Sequence, residues 1–550
     1  MSVSRSSVVH RGFAASFGFV IVCAALTIRS AAAELYVDVT DASGIDFVHS
    51  NGATGEKQYC EVMGSGVCFL DYDGDGRQDL YFVTSVGPNR LYRNLGELRF
   101  EDVTKQTNTG DASYGMGAAA ADYDNDGDAD LFVTNFGPNR LLRNDGGTFT
   151  DVSDAAGVAD PAFGAGAAFL DADHDGLLDL YVANYVVQAT PDTAICRAHD
   201  PPLRLYCPPR DYPPAQDRFY VNRGDGTFED ATARAGIEGH VGRGLGVTVA
   251  DIDRDGWPDI YVANDLNANF LFRNLRDGTF EEIGVLTGTS HSEGGMEQGG
   301  MGVAAEDYDN DGWMDLFVSN YLNETNSLYH NEGDGFFFDE TASSGLGASS
   351  LPWVGWGTQF FDYDLDGWKD LFVTNGHTES DAQIVDPTST WWQPDFLYRN
   401  LGNGRFEDVT MSAAPVLREK SRAGRGAAFG DLDDDGDTEI VISNQNDHPL
   451  LLENVREGGR WIGFRTRGTT SNRGGVGARV TVHAGETTFA AEVHAGGSYL
   501  SGNDPRVLVG LGARAAIDSV TVRWPSGAVD RHGALPLDRY HELREGKPSG

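Results

Sequence analysis

Short runs of small or apolar residues, an acidic turn, and then a β-branched and aromatic run recur along the whole chain, as in GMGAAAA (115–121), DYDNDGDAD (122–130) and LFVTN (131–135). Runs of this length and composition predict two strands joined by a hairpin loop rather than a helix. A third apolar run follows each hairpin: NRLYRN (89–94), NRLLRN (139–144), DRFYVN (217–222), NFLFRN (269–274), NSLYHN (326–331) and DFLYRN (395–400). A fourth comes after a glycine-rich turn, in RFEDVT from Arg99, TFTDVS from Thr148, TFEDAT from Thr227, TFEEIG from Thr279, FFFDET from Phe336 and RFEDVT from Arg405. Four short strands per unit suit the blade of a β-propeller.

The acidic turn occurs seven times, starting at Asp71, Asp122, Asp171, Asp251, Asp307, Asp362 and Asp431, with spacings of 51, 49, 80, 56, 55 and 69 residues. A period near fifty marks a repeat architecture, which can form one large closed unit. The seventh loop is followed by HPLLLEN (448–454) and by no fourth-strand copy, whereas LYVDVT from Leu35 is a fourth-strand copy standing ahead of the first loop. The pattern predicts an all-β, seven-bladed propeller over residues 34–458, in which the N-terminal strand completes the last blade and removes the open sheet edges. The two longest spacings hold insertions at 191–214 and 375–394, expected to extend loops on a propeller face.

The loops carry the clearest chemistry. Carboxylates at loop positions 1, 3, 5 and 9, with glycine at 6, make an oxygen-rich turn whose repulsion a hard cation relieves. The ligand candidates are Asp71, Asp73, Asp75 and Asp79; Asp122, Asp124, Asp126 and Asp130; Asp171, Asp173, Asp175 and Asp179; Asp251, Asp253, Asp255 and Asp259; Asp307, Asp309, Asp311 and Asp315; Asp362, Asp364, Asp366 and Asp370; and Asp431, Asp433, Asp435 and Glu439. An EF-hand also opens D-x-D-x-D-G but needs a bidentate glutamate at position 12. Position 12 here is Phe82, Val133, Val182, Val262, Val318, Val373 or Ile442, so the ninth acid is expected to close the site. Up to seven calcium ions are expected, one per repeat.

In these loops the chain resembles the FG-GAP or VCBS-type repeats shared with integrin propellers, in the arrangement of the cartilage acidic protein family. The resemblance implies that the loop carboxylates coordinate calcium, with the main-chain oxygen at position 7, such as that of Asp128, adding a ligand. The stretches RWIGFRTRGTTSNRGGVGARVTVHAG (460–485), HAGGSYLSGNDPRVLVGLG (494–512) and IDSVTVRWPSG (517–527) look like the ASPIC/UnbV domain that follows the propeller in that family. Alternation in ARVTVHA and VTVRW reads independently as strands, so a small β domain is expected over 459–546. Ser501-Gly502 departs from the more frequent Ser-Gln, and no Cys-rich EGF-like module follows, which resembles a bacterial-type member.

Composition then narrows the setting. The formal net charge is −42, which makes nucleic acid a poor partner. Arg5 and Arg11, the apolar run Phe13–Ile28 and AAAE read as a secretory signal over 1–33, and no other run is long enough to span a membrane. A secreted, periplasmic or cell-surface location is expected. Outside that leader stand Cys60, Cys68, Cys196 and Cys207, for which the pairing 60–68 and 196–207 is the simplest of three possibilities.

No nucleophile motif or zinc spacing is present, so no catalytic residue is assigned. His377, His291, Trp391 and Trp392 are candidates for a ligand-binding face, the tryptophans because they lie in a Pro-flanked insertion. Two functions follow: a calcium-stabilised adhesion or recognition module for an extracellular protein or glycan, and, as the alternative, a secreted polysaccharide lyase with its site in the propeller channel.

Overall fold

The computed structural model describes residues 1–2, 34–188, 194–199, 202–333 and 335–547. Apart from its first two residues, the expected leader lies outside the described residues. Seven four-stranded antiparallel sheets follow the repeat, the first built from Val67–Leu70, Asp79–Phe82, Arg90–Asn94 and Phe100–Asp102. The first strands of the other six are Gly115–Ala121, Gly164–Leu170, Gly244–Ala250, Val303–Glu306, Gly355–Phe361 and Gly424–Gly430. Each packs against the next around a common axis, and the last packs against the first. The fourth blade gains a fifth strand, Gln298–Gly299, against its long second strand Asp259–Asn267.

The N-terminal strand closes the ring as expected: Tyr36–Asp38 pairs antiparallel with Leu450–Asn454, Tyr36 opposite Asn454. The asparagine that ends each third strand adds a staple between blades. Asn144 Nδ2 donates to Tyr72 O of the previous blade at 2.8 Å, Asn331 Nδ2 to Ile252 O at 2.9 Å, and Asn94 Nδ2 to Leu432 O at 2.7 Å, joining first blade to seventh. The fourth-strand motif works locally. Asp102 Oδ1 accepts Thr104 N–H at 2.9 Å, Thr104 Oγ1 accepts Leu91 N–H at 3.0 Å, and a one-turn helix, Thr104–Thr107, leads to the next blade. Between blades the core is apolar, as where Phe69, Leu80 and Phe82 meet Ala428, Val441 and Leu451.

Residues after the ring form two facing sheets. One contains Arg460–Arg467, Val507–Gly512 and Tyr540–Arg544; the other contains Arg479–Ala484, Thr487–Glu492, Ser519–Arg523 and Val529–His532. Ile462, Phe464, Val480, Val482, Val520, Val522 and Trp524 fill the space between them. This domain sits on the acidic loops: Arg465 Nη2 donates to Gly76 O at 2.8 Å, Arg523 Nη2 to Asp255 O at 2.8 Å, and Tyr540 Oη to Asp431 Oδ2 at 2.9 Å.

From it, residues 494–504 enter the propeller axis and bond to the first strand of every blade. Gly502 O accepts Phe69 N–H at 2.9 Å, Leu500 O accepts Ala118 N–H at 3.2 Å, and Ala495 O accepts Phe169 N–H at 2.9 Å. His494 Nδ1 lies 2.9 Å from Val249 O. Ser498 exchanges main-chain bonds with Val303, and its Oγ accepts Thr358 N–H at 3.1 Å and donates to Ala427 O at 2.8 Å. This crowding explains the small residues of the first strands: a Cβ on Gly117 would stand 2.6 Å from Leu500 O.

One disulfide is as expected and one is not. Cys196 and Cys207 are bonded, with Cα atoms 5.2 Å apart. Cys60 and Cys68 are free and buried. Cys60 sits in the turn Tyr59–Val62 at the end of the axis away from the loops, whereas Cys68 packs between blades beside Leu70 and Tyr81, so the two thiols belong to different cores.

Candidate ligand and metal sites

The seven acidic loops share one geometry. Position 4 takes a left-handed backbone in all of them, from Leu365 at φ 52° to Gly74 at 69°, and the position-6 glycine does so too, as at Gly127 with φ 108°. The position-1 carboxylate accepts the position-6 N–H, as in Gly76 to Asp71 at 2.9 Å and Gly367 to Asp362 at 2.8 Å. The ninth acid is held by two main-chain donors: Asp130 takes Tyr123 N–H at 3.1 Å and the Asn144 N–H at 2.7 Å. Asp71, Asp73 and Asp79 bring one oxygen each within 4.8 Å of one another, as do Asp122, Asp124 and Asp130, and Asp171, Asp173 and Asp175.

Burial pushes Asp79 up to about 8, Asp130 to about 9 and Asp307 to about 8, with neighbouring carboxylates adding to the rise. Buried oxygens of Asp71, Asp171, Asp251, Asp307, Asp364 and Asp433 have no hydrogen-bond partner among the described residues. An orphaned acceptor beside further carboxylates of the same loop fits the donor set of a hard, oxygen-seeking cation. The third strands supply partial charge relief, as Arg93 lies 2.7 Å from Asp73 and Arg399 3.0 Å from Asp364. At the fifth loop His330 takes that role, 3.0 Å from Asp315, and this hydrogen bond raises it to about 9.

The opposite end of the axis carries a different site. The chain leaves each second strand and enters the next first strand there, and both insertions fold over it. A cavity of about 480 Å³ lies between Tyr59, Val62 and Met63, the end of the second strand at Asp265 and Leu266, Met301, Tyr321, Trp356, and the insertion residues Leu205–Arg210 and His377–Glu379. The Cys196–Cys207 bond fixes the Leu205–Arg210 wall. Tyr59 stacks on Tyr185 and Tyr212, at 5.8 and 4.9 Å between ring centres. Its hydroxyl meets that of Tyr185 at 2.6 Å, and Tyr185 donates in turn to Asp265 Oδ2. Burial raises Asp265 to about 6, opposed by that hydrogen bond and by the charge of Arg243.

Behind Trp356 lies Arg425, fully buried and 4.1 Å from the ring centre, with no carboxylate partner among the described residues. It donates to Val62 O at 2.9 Å, Gly424 O at 2.8 Å, His377 O at 3.0 Å and Gly376 O at 3.2 Å. These bonds tie the sixth and seventh blades to the Tyr59–Val62 turn. His377 Nδ1 accepts the Glu379 N–H at 2.9 Å, which leaves Nε2–H as its remaining donor, and burial lowers the ring to about 4, so it is neutral at pH 7. Glu379 is paired with Lys57 and accepts Tyr206 N–H at 3.2 Å.

Of the ligand-face candidates, His377 lines this cavity. Trp391 is half-buried and its carbonyl accepts His377 N–H at 3.2 Å, Trp392 is exposed, and neither lines the cavity. His291 lies elsewhere, held by Ser290 Oγ at 2.6 Å. The tyrosines and Asp265 were missed because each stands once, in a turn, in an insertion or at the tail of a strand copy, where no repeat marks it. The staple asparagines had a signal: the same letter ends every third-strand copy.

A family model described as FG-GAP-like repeat matches residues 71–133, 122–182, 210–262, 251–318 and 307–373, and one described as ASPIC and UnbV matches 468–550. Cartilage acidic protein 1 of Homo sapiens is 28% identical over 318 residues, 56% of this chain and 44% of that protein. The Xenopus tropicalis protein of the same name is 26% identical over 317 residues, 56% of this chain and 46% of that one. The chain spans less than half the length of these relatives. Among solved structures, the BP39L lectin from Burkholderia pseudomallei has a TM-score of 0.41 at 10% identity, covering 71% of this chain and 95% of the lectin. An Agrocybe aegerita lectin specific for non-reducing terminal N-acetylglucosamine has a TM-score of 0.38 at 17% identity, covering 70% and 87%.

Proposed function

Because the chain belongs to the FG-GAP-repeat proteins that carry an ASPIC/UnbV domain, we propose that it is an exported calcium-binding recognition module, holding a protein or glycan ligand on the face away from its metal loops. The observation that carries this reading is the placement of the C-terminal domain. It covers the acidic loops and sends residues 494–504 down the axis, which leaves the insertion face as the open concave end. Preformed, mainly apolar cavities with a few converging polar groups are the usual form of a ligand site. The twenty-eight loop acids are the calcium ligands in this reading, and their role is to hold the hairpins on which the C-terminal domain rests. A lyase working inside the channel has little support, since the axial segment occupies that space and His291 lines no part of the cavity that holds His377.

The test is an array of extracellular proteins and of neutral and acidic glycans, probed with the full chain in 1 mM calcium and followed for both capture and turnover. Val385→Trp places a bulky ring on the cavity rim, where Val385 is 46% exposed. The expected result is capture of a ligand, no turnover, and at least about tenfold weaker capture by this variant at an unchanged melting temperature. Turnover of any glycan, or capture indifferent to Val385→Trp, overturns the reading.

A further inference from the structure

We propose that the insertion-face cavity receives the side chain of a lysine or arginine from a partner protein, its aliphatic stem against the apolar wall and its cationic head on Asp265. The inference rests on the recognition reading above and narrows its ligand to a basic protein surface.

Asp265 is the pivot. It is 6% exposed and lines the cavity, and Tyr185 donates to its Oδ2, but Oδ1 accepts no hydrogen bond from the described residues. Arg243, the cation whose charge acts on it, forms no salt bridge with it. Its donors go to Pro209 O at 3.1 Å, Tyr212 O at 3.1 Å and Asn267 Oδ1 at 2.8 Å. A buried carboxylate with an open oxygen calls for a charged or hydrogen-bonding partner. The neighbouring Leu266, also in the wall, takes φ +54°, a left-handed backbone that residues with a side chain rarely adopt. Such outliers persist where surrounding structure enforces them, and they gather at ligand sites.

The wall selects the stem. Val62, Met63, Leu205, Leu266, Met301 and Val385 give an aliphatic lining, to which the methylenes of a long cationic side chain adapt. A sugar ring would instead need open aromatic faces. Here Tyr59 is sandwiched between Tyr185 and Tyr212, Arg425 covers Trp356 at 4.1 Å, and Lys57 lies over Tyr206 at 4.7 Å. Arg425, Arg243 and Lys57 oppose an incoming cation, but all three are committed to carbonyl or carboxylate oxygens, and the chain as a whole carries a net charge of −42, which draws a basic partner toward it.

The probes are the peptides Gly-Gly-Lys-Gly-Gly and Gly-Gly-Arg-Gly-Gly, with Gly-Gly-norleucine-Gly-Gly as the apolar match, titrated calorimetrically into the full chain in 1 mM calcium and 150 mM salt. The basic peptides are expected to bind and the norleucine peptide to bind at least about tenfold more weakly. Asp265→Asn, nearly isosteric, should bring the basic peptides down to the norleucine level while melting no lower than the parent, since it removes an uncompensated buried charge. Equal binding of all three peptides overturns the proposal, as does basic-peptide binding that survives both Asp265→Asn and Val385→Trp and so belongs to the acidic surface. If no basic peptide binds but a glycan is captured in a Val385→Trp-sensitive way, this inference falls and the recognition reading stands.

Discussion

The two ends of the propeller are made by different means. The loop face is one acidic turn copied seven times, with the same φ pattern and the same N–H to carboxylate bonds in each copy. The cavity on the insertion face is assembled from singular parts: it joins a turn at Tyr59, single residues at strand ends, and two insertions, one of them pinned by a disulfide. Repetition gives equivalent sites whose effects add. Singular residues gathered at one point give a cavity that a single substitution can alter. Stability should therefore respond mainly to the loop face, and selectivity mainly to the other.

Removing calcium should show the contrast at full strength. At dissociation constants of about 0.1 to 1 mM, seven sites in roughly 1 mM calcium contribute about 3 to 10 kcal/mol together. Chelation should lower the calorimetric melting temperature strongly, while Asp124→Ala in one loop lowers it slightly. A melting curve unchanged after thorough chelation, with metal analysis showing no residual calcium, would break the comparison.

Tyr499→Ala should come next in size, because Tyr499 belongs to the axial segment that runs between the two ends. The ring is fully buried, stands edge-on to Trp356 at 4.9 Å, and its hydroxyl donates to Met63 O at 3.0 Å. A loss of about 3 to 5 kcal/mol in denaturant unfolding is expected; a loss below about 1 kcal/mol would mean that the axial segment is not part of the core.

A smaller effect, of opposite sign, is expected at Asp217. Third strands begin with asparagine at Asn89, Asn139, Asn269 and Asn326, but with Asp217 and Asp395 in the two blades that carry insertions. Burial raises both acids to about 7. A carboxyl raised in the folded state contributes stability fully below its unfolded value near 3.9 and loses it as pH climbs through 7. Asp217→Asn should therefore gain about 1 to 3 kcal/mol at pH 8, and little at pH 5. Equal effects at both values would show that burial is not what shifts this acid.

Reduction of Cys196–Cys207 should be the mildest globally. The bond spans 11 residues within an insertion, so opening it frees local chain while the ring stays closed. The melting temperature should fall by less than about 2 °C, while affinity for the captured ligand drops several-fold. The reverse pattern would make the insertion a structural strut.

What the sequence revealed divides along the same line. Periodic features were legible: the strand order, the closing strand at Tyr36, and the seven loops all follow from copies that can be aligned to one another. The Cys60–Cys68 pairing failed because closeness along the chain was the only guide, and the first strand carries Cys68 into an inter-blade core while Cys60 stays at its mouth. The axial role of 494–504 could not be seen either. Its bonds are to the backbone of strands as far as 435 residues away, such as Gly502 N–H to Val67 O, and the small residues that make room for it in the first strands do not name the segment that needs the room. Asp265 ends a strand copy that reads like any other, and its meaning comes only from the tyrosine of a different blade.

The closing strand also orders events in time. Tyr36 hydrogen-bonds Asn454 across 418 residues, so a segment that emerges early has no partner until nearly the whole ring exists. Contacts of such separation form late and slow the search. Until then the Leu450–Asn454 strand and the first blade present raw edges that can pair with another chain. A nascent chain halted short of Asn454 is an open arc rather than a smaller ring, and it should be handled by the cell as unfinished material.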